Sequence, residues 1–125
     1  MKTLTLDDLL ALHALAIERF GGVSGIRDLG RIDAAVASQI QQVFGAELYP
    51  TLHEKAAALL RGIIADYAFA DGNKRTGMLA ALTLLEYNGL TFSARKGELE
   101  DFAVSVAVNH LSIEQIAEWL RTHTV

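Results

Sequence analysis

The stretch from Leu52 to Ala68 is apolar on nearly every side when it is wound as a helix. Most of its positions are Ala, Leu or Ile, and Thr51 with Glu54 forms a capping-box pattern at its start. A helix without a polar face has to be covered by other elements on all sides. The sequence therefore predicts a buried central helix, around which the rest of the chain has to pack.

Helical spacing of apolar residues and end signals predict five further helices. The predicted ranges are 6–20, 31–44, 73–87, 98–108 and 113 to the C-terminus, with Asn73 as the N-cap of the fourth helix. Residues 90–94 are predicted to be extended. The glycine-rich segment 21–30 is interpreted as a connector loop, with a wall beside the polar turn described below as the alternative. The expected fold is all-α, a compact single-domain bundle of six helices over residues 1–125.

Composition narrows the class of protein. The chain is 51% hydrophobic with positive mean hydropathy and no cysteine, so a proper core is expected, and disulfides and thiolate metal sites are excluded. No apolar run reaches the roughly 18 residues of a membrane span, and the N-terminus has no apolar signal region, so a cytoplasmic protein without membrane contact is expected. A net charge of −4 argues against direct DNA binding.

A polar turn, Asp71-Gly72-Asn73-Lys74-Arg75, interrupts the apolar sequence directly after the central helix. Gly and Asn at a helix start leave backbone N–H groups free at the positive end of the helix dipole, and two cations follow in the first turn. Cations at that end oppose the dipole, which a chain selected only for stability would avoid. The turn therefore predicts an anion site, with phosphate as the favoured anion. A solvated helix start that happens to be basic is the competing interpretation.

Residues 69–76, Phe-Ala-Asp-Gly-Asn-Lys-Arg-Thr, resemble the signature loop of the Fic/Doc family, and the glycine-rich segment 21–30 resembles that of the same proteins. Lys74 and the short chain point to the Doc (death-on-curing) branch. The family has a catalytic His two residues before the motif Phe, whereas this chain has Tyr67 at that position.

The resemblance implies a toxin of a toxin–antitoxin system that uses ATP and Mg²⁺. Such a toxin would transfer phosphate to a hydroxyl of a translation factor, elongation factor Tu, and so block translation. Because Tyr67 places a phenol where the family has its general base, this chain is expected to be inactive or to have strongly reduced activity. The implied site residues are Tyr67, Asp71 and Arg75 for catalysis, Asp71 for the metal, Gly72, Asn73, Lys74 and Arg75 for the phosphates, and Phe69 as a structural anchor.

Two other functions stay open at this point. One is an AMP transferase of the wider Fic type, against which Lys74 argues because a bulky cation should obstruct the usual triphosphate placement. The other is a non-catalytic module that binds a nucleotide or a partner. The resemblance further implies an antitoxin whose disordered C-terminal segment folds as a helix into an apolar groove.

Polar residues elsewhere are given ordinary roles. His13 is expected to be structural or at the surface, because position 17 offers no second metal ligand on the same helix face. His110 and His123 are expected at the surface. Gln39, Gln41 and Gln42 are assigned to the solvated side of the second helix.

Overall fold

A computed structural model describes residues 1–125 as six α-helices and one short β-hairpin. The all-α bundle predicted from the sequence is confirmed. None of the helices combines the length and the apolar character needed to cross a bilayer. The elements in chain order are α1 (Leu6–Phe20), α2 (Leu29–Ser38), β1 (Gln42–Val43), β2 (Ala46–Glu47), α3 (Leu52–Ile64), α4 (Asn73–Tyr87), α5 (Glu98–Val108) and α6 (Ile113–Thr122).

Helix α3 is the centre of the bundle, as predicted. It packs against α2, α4, α5 and α6. Eight of its 13 residues are buried, and six of these lie in a core cluster of 23 buried side chains. It ends at Ile64 rather than Ala68, because the chain turns through residues 65–67 before the polar loop. α3 therefore delivers the loop to the surface from inside the core.

Helix α4 leaves the polar loop in close contact with α3. A Cβ atom at Gly77 would lie 2.9 Å from Cγ1 of Ile64 and 3.3 Å from the carbonyl oxygen of Leu60. Glycine is thus required for α4 to pack this closely against the last turns of α3. This contact fixes the direction in which α4 starts, immediately after the loop.

The second helix differs from its prediction at both ends. It begins at Leu29, with the Asp28 carboxylate accepting the Arg31 N–H, and it ends at Ser38 rather than residue 44. Residues 42–47 form an antiparallel hairpin instead. Phe44 and Gly45 both have positive φ, at 52° and 80°, as the central pair of a two-residue type I′ turn requires. The apolar residues before this turn match helical spacing, but the turn geometry prevails.

Gln39 is buried rather than solvated, with 1% of its surface exposed. Its side-chain amide accepts the Leu4 N–H at 2.8 Å and donates to the Leu4 carbonyl at 2.9 Å. The buried Lys55 ammonium donates to the Gln39 carbonyl and to the Glu47 carboxylate, at 2.9 and 2.8 Å. This network joins the N-terminal segment, the end of α2, the hairpin and α3.

His123 is also not a surface residue, because its ring stacks on Trp119 and contacts the start of α5. Its Nε2 lies 3.0 Å from the Glu98 carboxylate, and its Nδ1 lies 2.7 Å from the Trp119 carbonyl. Burial opposes the charged ring, but these two acceptors outweigh it and raise the pKa of His123. Phe92 pairs with Thr124 as an isolated bridge, so the extended segment predicted at residues 90–94 docks the C-terminus beside α5.

We expect Gln39→Ala to lower the free energy of unfolding by about 2–4 kcal/mol, because two buried backbone groups of Leu4 would lose their partners at about 1–3 kcal/mol each. Urea titration, monitored by circular dichroism, measures the free energy of unfolding. The matched control is Gln41→Ala, an exposed position two residues on, which should change the value by no more than about 0.5 kcal/mol. Equal effects of the two substitutions would contradict the role given to Gln39.

Candidate functional site

Tyr67 lies where the chain leaves α3 in a left-handed conformation. Its φ is +48°, and the Ala68 N–H donates to the Ile63 carbonyl at 3.5 Å across this turn. Glycine is the usual residue at such a helix end, and an L-residue there costs about 1–2 kcal/mol. The Tyr67 side chain is nevertheless 53% exposed, so burial does not repay the strain. The turn therefore presents Tyr67 at the surface at a cost in stability.

The Asn73 side chain closes the loop that follows. Its Oδ1 accepts the Phe69 N–H at 2.9 Å, and its Nδ2 donates to the Phe69 carbonyl at 3.0 Å. The prediction of Asn73 as the N-cap of α4 is therefore wrong, because the cap is Gly72, which has φ +73° and makes no side-chain cap bond. Both polar atoms of the Asn73 side chain bond to the Phe69 backbone, so only the backbone N–H of Asn73 is free to bind a ligand.

The start of α4 carries free hydrogen-bond donors. The first amide of the helix with a backbone acceptor is that of Thr76, which donates to the Gly72 carbonyl at 2.9 Å. The N–H groups of Asn73, Lys74 and Arg75 have no partner within the protein. Because no side chain caps this end, three donors and the positive end of the dipole are open to solvent.

Phe69 and His13 form the floor of the loop. The Phe69 side chain is fully buried, and the His13 ring lies parallel to it at a centroid distance of 3.8 Å. His13 Nε2 is 2.9 Å from the Asp71 carbonyl oxygen. The structural role expected for His13 is correct, but its contact with the site is a feature that the sequence analysis missed. The signal was its position, four residues after Leu9 and three before Ala16, on the buried face of α1.

The glycine-rich segment is a wall of the site, not a connector alone. Ile26 pairs with Phe69 as an isolated bridge, and the Ala70 N–H donates to the Gly25 carbonyl at 3.1 Å. A Cβ atom at Gly22 would lie 2.7 Å from the Asp71 carboxylate, so glycine is needed for this approach. Backbone groups of the segment pair with backbone groups of residues 68–71, since Arg27 and Asp28 both donate to the Ala68 carbonyl. These hydrogen bonds hold the segment close to the loop.

The Asp71 carboxylate is exposed and held in one orientation. Its Oδ2 accepts the Val23 N–H at 3.1 Å, and its Oδ1 accepts the Gly72 N–H at 2.9 Å. These two backbone bonds hold the pKa of Asp71 below its usual value, with a smaller contribution from the charge of Arg75. The carboxylate is therefore ionised at neutral pH.

Asp71 offers carboxylate oxygens that could act as metal ligands. No group of three His, Cys, Asp or Glu side chains is close enough to hold a metal ion. Each Asp71 oxygen keeps a free lone pair beside its N–H partner. One carboxylate shared with phosphate oxygens and water suits Mg²⁺, whereas an all-protein cage would need more ligands. The residues present thus fit a magnesium ion that arrives with a nucleotide.

Lys74 and Arg75 stand between two hollows that share Phe20 as a common wall. The Arg75 guanidinium lies 4.3 Å from the centroid of the Phe20 ring, and its Nη1 lies 3.4 Å from the Phe20 carbonyl. The first hollow, of about 530 Å³, is the candidate site. It brings together all the predicted site residues except the buried Phe69, which lies beneath it: Tyr67, Asp71, Gly72, Asn73, Lys74 and Arg75.

We expect Asn73→Ala to lower the free energy of unfolding by about 2–4 kcal/mol, because both buried polar groups of the Phe69 backbone would lose their partners. The matched control is Lys74→Ala, the next position and exposed, with a change of at most about 0.5 kcal/mol. Chemical unfolding monitored by tryptophan fluorescence measures both variants. An Asn73→Ala protein as stable as the control would show that the loop does not depend on this pair of bonds.

Comparison with known proteins places the fold and the loop in one family. The model of the Fic/DOC family matches residues 3–85. A protein named Toxin Doc from Mycolicibacterium smegmatis is 40% identical over 113 residues, which are 89% of this chain and 85% of that protein. A protein named Protein kinase doc from Escherichia phage P1 is 33% identical over 121 residues, which are 97% of this chain and 94% of that protein. The family match and these relatives both extend over most of the chain, which therefore belongs to the Fic/DOC family.

Proposed function

We propose that this chain is a Doc-type toxin whose site is built to transfer phosphate from ATP to a hydroxyl group of a translation factor, elongation factor Tu, so that translation stops. The names of the two relatives, a toxin and a protein kinase, support this class. The observation that carries the proposal is the open start of α4, where three free amides, two cations and the ionised Asp71 face one hollow.

Phosphate oxygens fit the donors of this hollow. The N–H groups of Asn73, Lys74 and Arg75 and the helix dipole would contact one phosphate, and the two side-chain cations would neutralise its charge. Phosphoryl transfer requires chiefly such positioning and charge stabilisation. Bound Mg²⁺ would supply further neutralisation of the phosphates, and Asp71 is the residue that would hold it. The rigid carboxylate would thereby fix the triphosphate relative to the acceptor hydroxyl.

Tyr67 limits what the site can do in this form. It lines the hollow at the position where a proton acceptor for the attacking hydroxyl is needed. A phenol is a much weaker proton acceptor than an imidazole, so a tyrosine gives little general-base help at this position. Loss of general-base help lowers the rate by about 10²–10⁴-fold. We therefore propose that this form binds the nucleotide but transfers phosphate slowly or not at all.

The second hollow offers a place for an antitoxin. It is a groove of about 300 Å³ between α4 and α5, and apolar side chains make up most of its lining. A partner segment that folds as an amphipathic helix on binding would cover these side chains. Because Phe20, Lys74 and Arg75 line both hollows, such a segment would also contact the proposed phosphate ligands. The lining residues are Phe20, Met78, Leu79, Leu82, Leu99, Ala103 and Val104, with Lys74, Arg75 and Glu100 as the polar residues.

Arg75→Ala should weaken the binding of ATP·Mg²⁺ by about 10–100-fold, because one charge-assisted phosphate contact contributes about 1.5–3 kcal/mol. Isothermal titration calorimetry measures the affinity. Arg95→Ala is the matched control, since Arg95 is exposed and outside the hollow, and it should bind as the unchanged protein does. Equal affinity of both variants would locate the nucleotide elsewhere.

Tyr67→His should restore toxicity, because an imidazole with a pKa near 6.5 accepts a proton at cytoplasmic pH and the other site residues are already in place. Histidine is also among the residues enriched in the left-handed region, so the strained turn should tolerate it. The measurement is growth of cells that express the variant without a partner protein. Growth should stop with Tyr67→His and resume with Tyr67→His/Asp71→Ala. Unimpaired growth with a folded Tyr67→His protein would favour a non-catalytic binding module.

A further inference from the structure

His13 makes the one hydrogen bond that the protein offers to the Asp71 carbonyl. The histidine is 6% exposed, and its Nε2 is 2.9 Å from that oxygen. A carbonyl oxygen can only accept, so Nε2 carries the proton in this contact. No other side chain or backbone amide donates to the same oxygen.

This bond determines the orientation of the peptide unit between Asp71 and Gly72. In a trans peptide the C=O and N–H groups point in opposite directions. Because the carbonyl is directed inward to His13, the Gly72 N–H is directed outward, where it donates to Oδ1 of Asp71 at 2.9 Å. Gly72 has φ +73°, and glycine accepts positive and negative φ about equally well. The backbone of Gly72 therefore places no restriction of its own on rotation of the preceding peptide.

A rotated peptide would change the charge that faces the hollow. The Asp71 carbonyl oxygen would take the place of the Gly72 N–H, and its partial negative charge would repel a phosphate. The Asp71 carboxylate would also lose one of the two N–H groups that fix it. The peptide group between Asp71 and Gly72 thus favours an anion in one orientation and opposes it in the other.

We propose that His13 is a positioning residue that holds the Asp71–Gly72 peptide in the orientation that accepts an anion. The proposal rests on the proposed function, because it takes the hollow to be the ATP·Mg²⁺ site. The face and the edge of the His13 ring then have different roles. The ring face packs on Phe69, and the Nε2–H at the ring edge fixes the peptide.

Two substitutions separate these tasks. His13→Phe keeps an aromatic ring over Phe69 but removes the donor, whereas His13→Gln keeps a side-chain N–H but removes the ring. We expect His13→Phe to weaken ATP·Mg²⁺ binding about 10-fold, the worth of one hydrogen bond, with a small change in the urea midpoint. His13→Gln should bind within about 3-fold of the unchanged protein and be the less stable of the two, because its core contact is lost.

A purely structural role for His13 predicts the opposite order, with the less stable His13→Gln as the weaker binder. That order, or unchanged affinity in His13→Phe, would overturn the proposal. NMR of the ligand-free protein tests it without the nucleotide. The Asp71 carbonyl ¹³C and Gly72 amide shifts should move in His13→Phe and stay near their original values in His13→Gln. If the unchanged protein binds no ATP·Mg²⁺, the proposed function fails, and these shifts alone decide whether His13 fixes the peptide.

Discussion

The pair of hydrogen bonds between the Asn73 side chain and the Phe69 backbone is the interaction on which the site depends. It closes the chain into a loop between α3 and α4, and it does so at a buried position where water cannot replace either bond. With Phe69 fixed in the core and Gly77 setting the start of α4 against α3, the free amides of the helix have a defined direction. The exposed groups of the hollow are thus held by contacts that lie beneath it.

Several local features around this loop oppose stability. Tyr67 occupies a left-handed conformation without being buried, and α4 begins without a side-chain cap and with two cations at the positive end of its dipole. Each of these choices costs stability, by about 1–2 kcal/mol for the tyrosine and a few tenths to about 1 kcal/mol for the cations. Four of the other five helices have a side-chain cap, and only α5, which begins after Gly97, shares the uncapped start of α4.

Much of the fold could be predicted because local signals and tertiary packing agree. The bounds of α4 and α5 follow from spacing and end residues, and the central position of α3 follows from its apolar surface. The hairpin was missed because Val43 continues a helical apolar pattern, and only the glycine at 45 indicates the turn.

The burial of Gln39 and the contact of His13 with the site were missed for a different reason. Their roles depend on partners 35 and 58 residues away, which no local pattern reveals. Asn73 was recognised as a site residue, but its task could not be distinguished from that of a cap until the direction of its side chain was known.

The central claim is that the hollow at the start of α4 positions the terminal phosphate of ATP for transfer to a protein hydroxyl, with Tyr67 as the one unsuitable group. Intact-protein mass spectrometry of purified elongation factor Tu, after incubation with ATP·Mg²⁺ and the Tyr67→His protein, tests this most directly. We expect a mass gain of one phosphate group, which should be absent when the unchanged protein is used. A gain corresponding to AMP would assign the chemistry of the wider Fic type, and no gain with a Tyr67→His protein that binds ATP·Mg²⁺ would contradict the account.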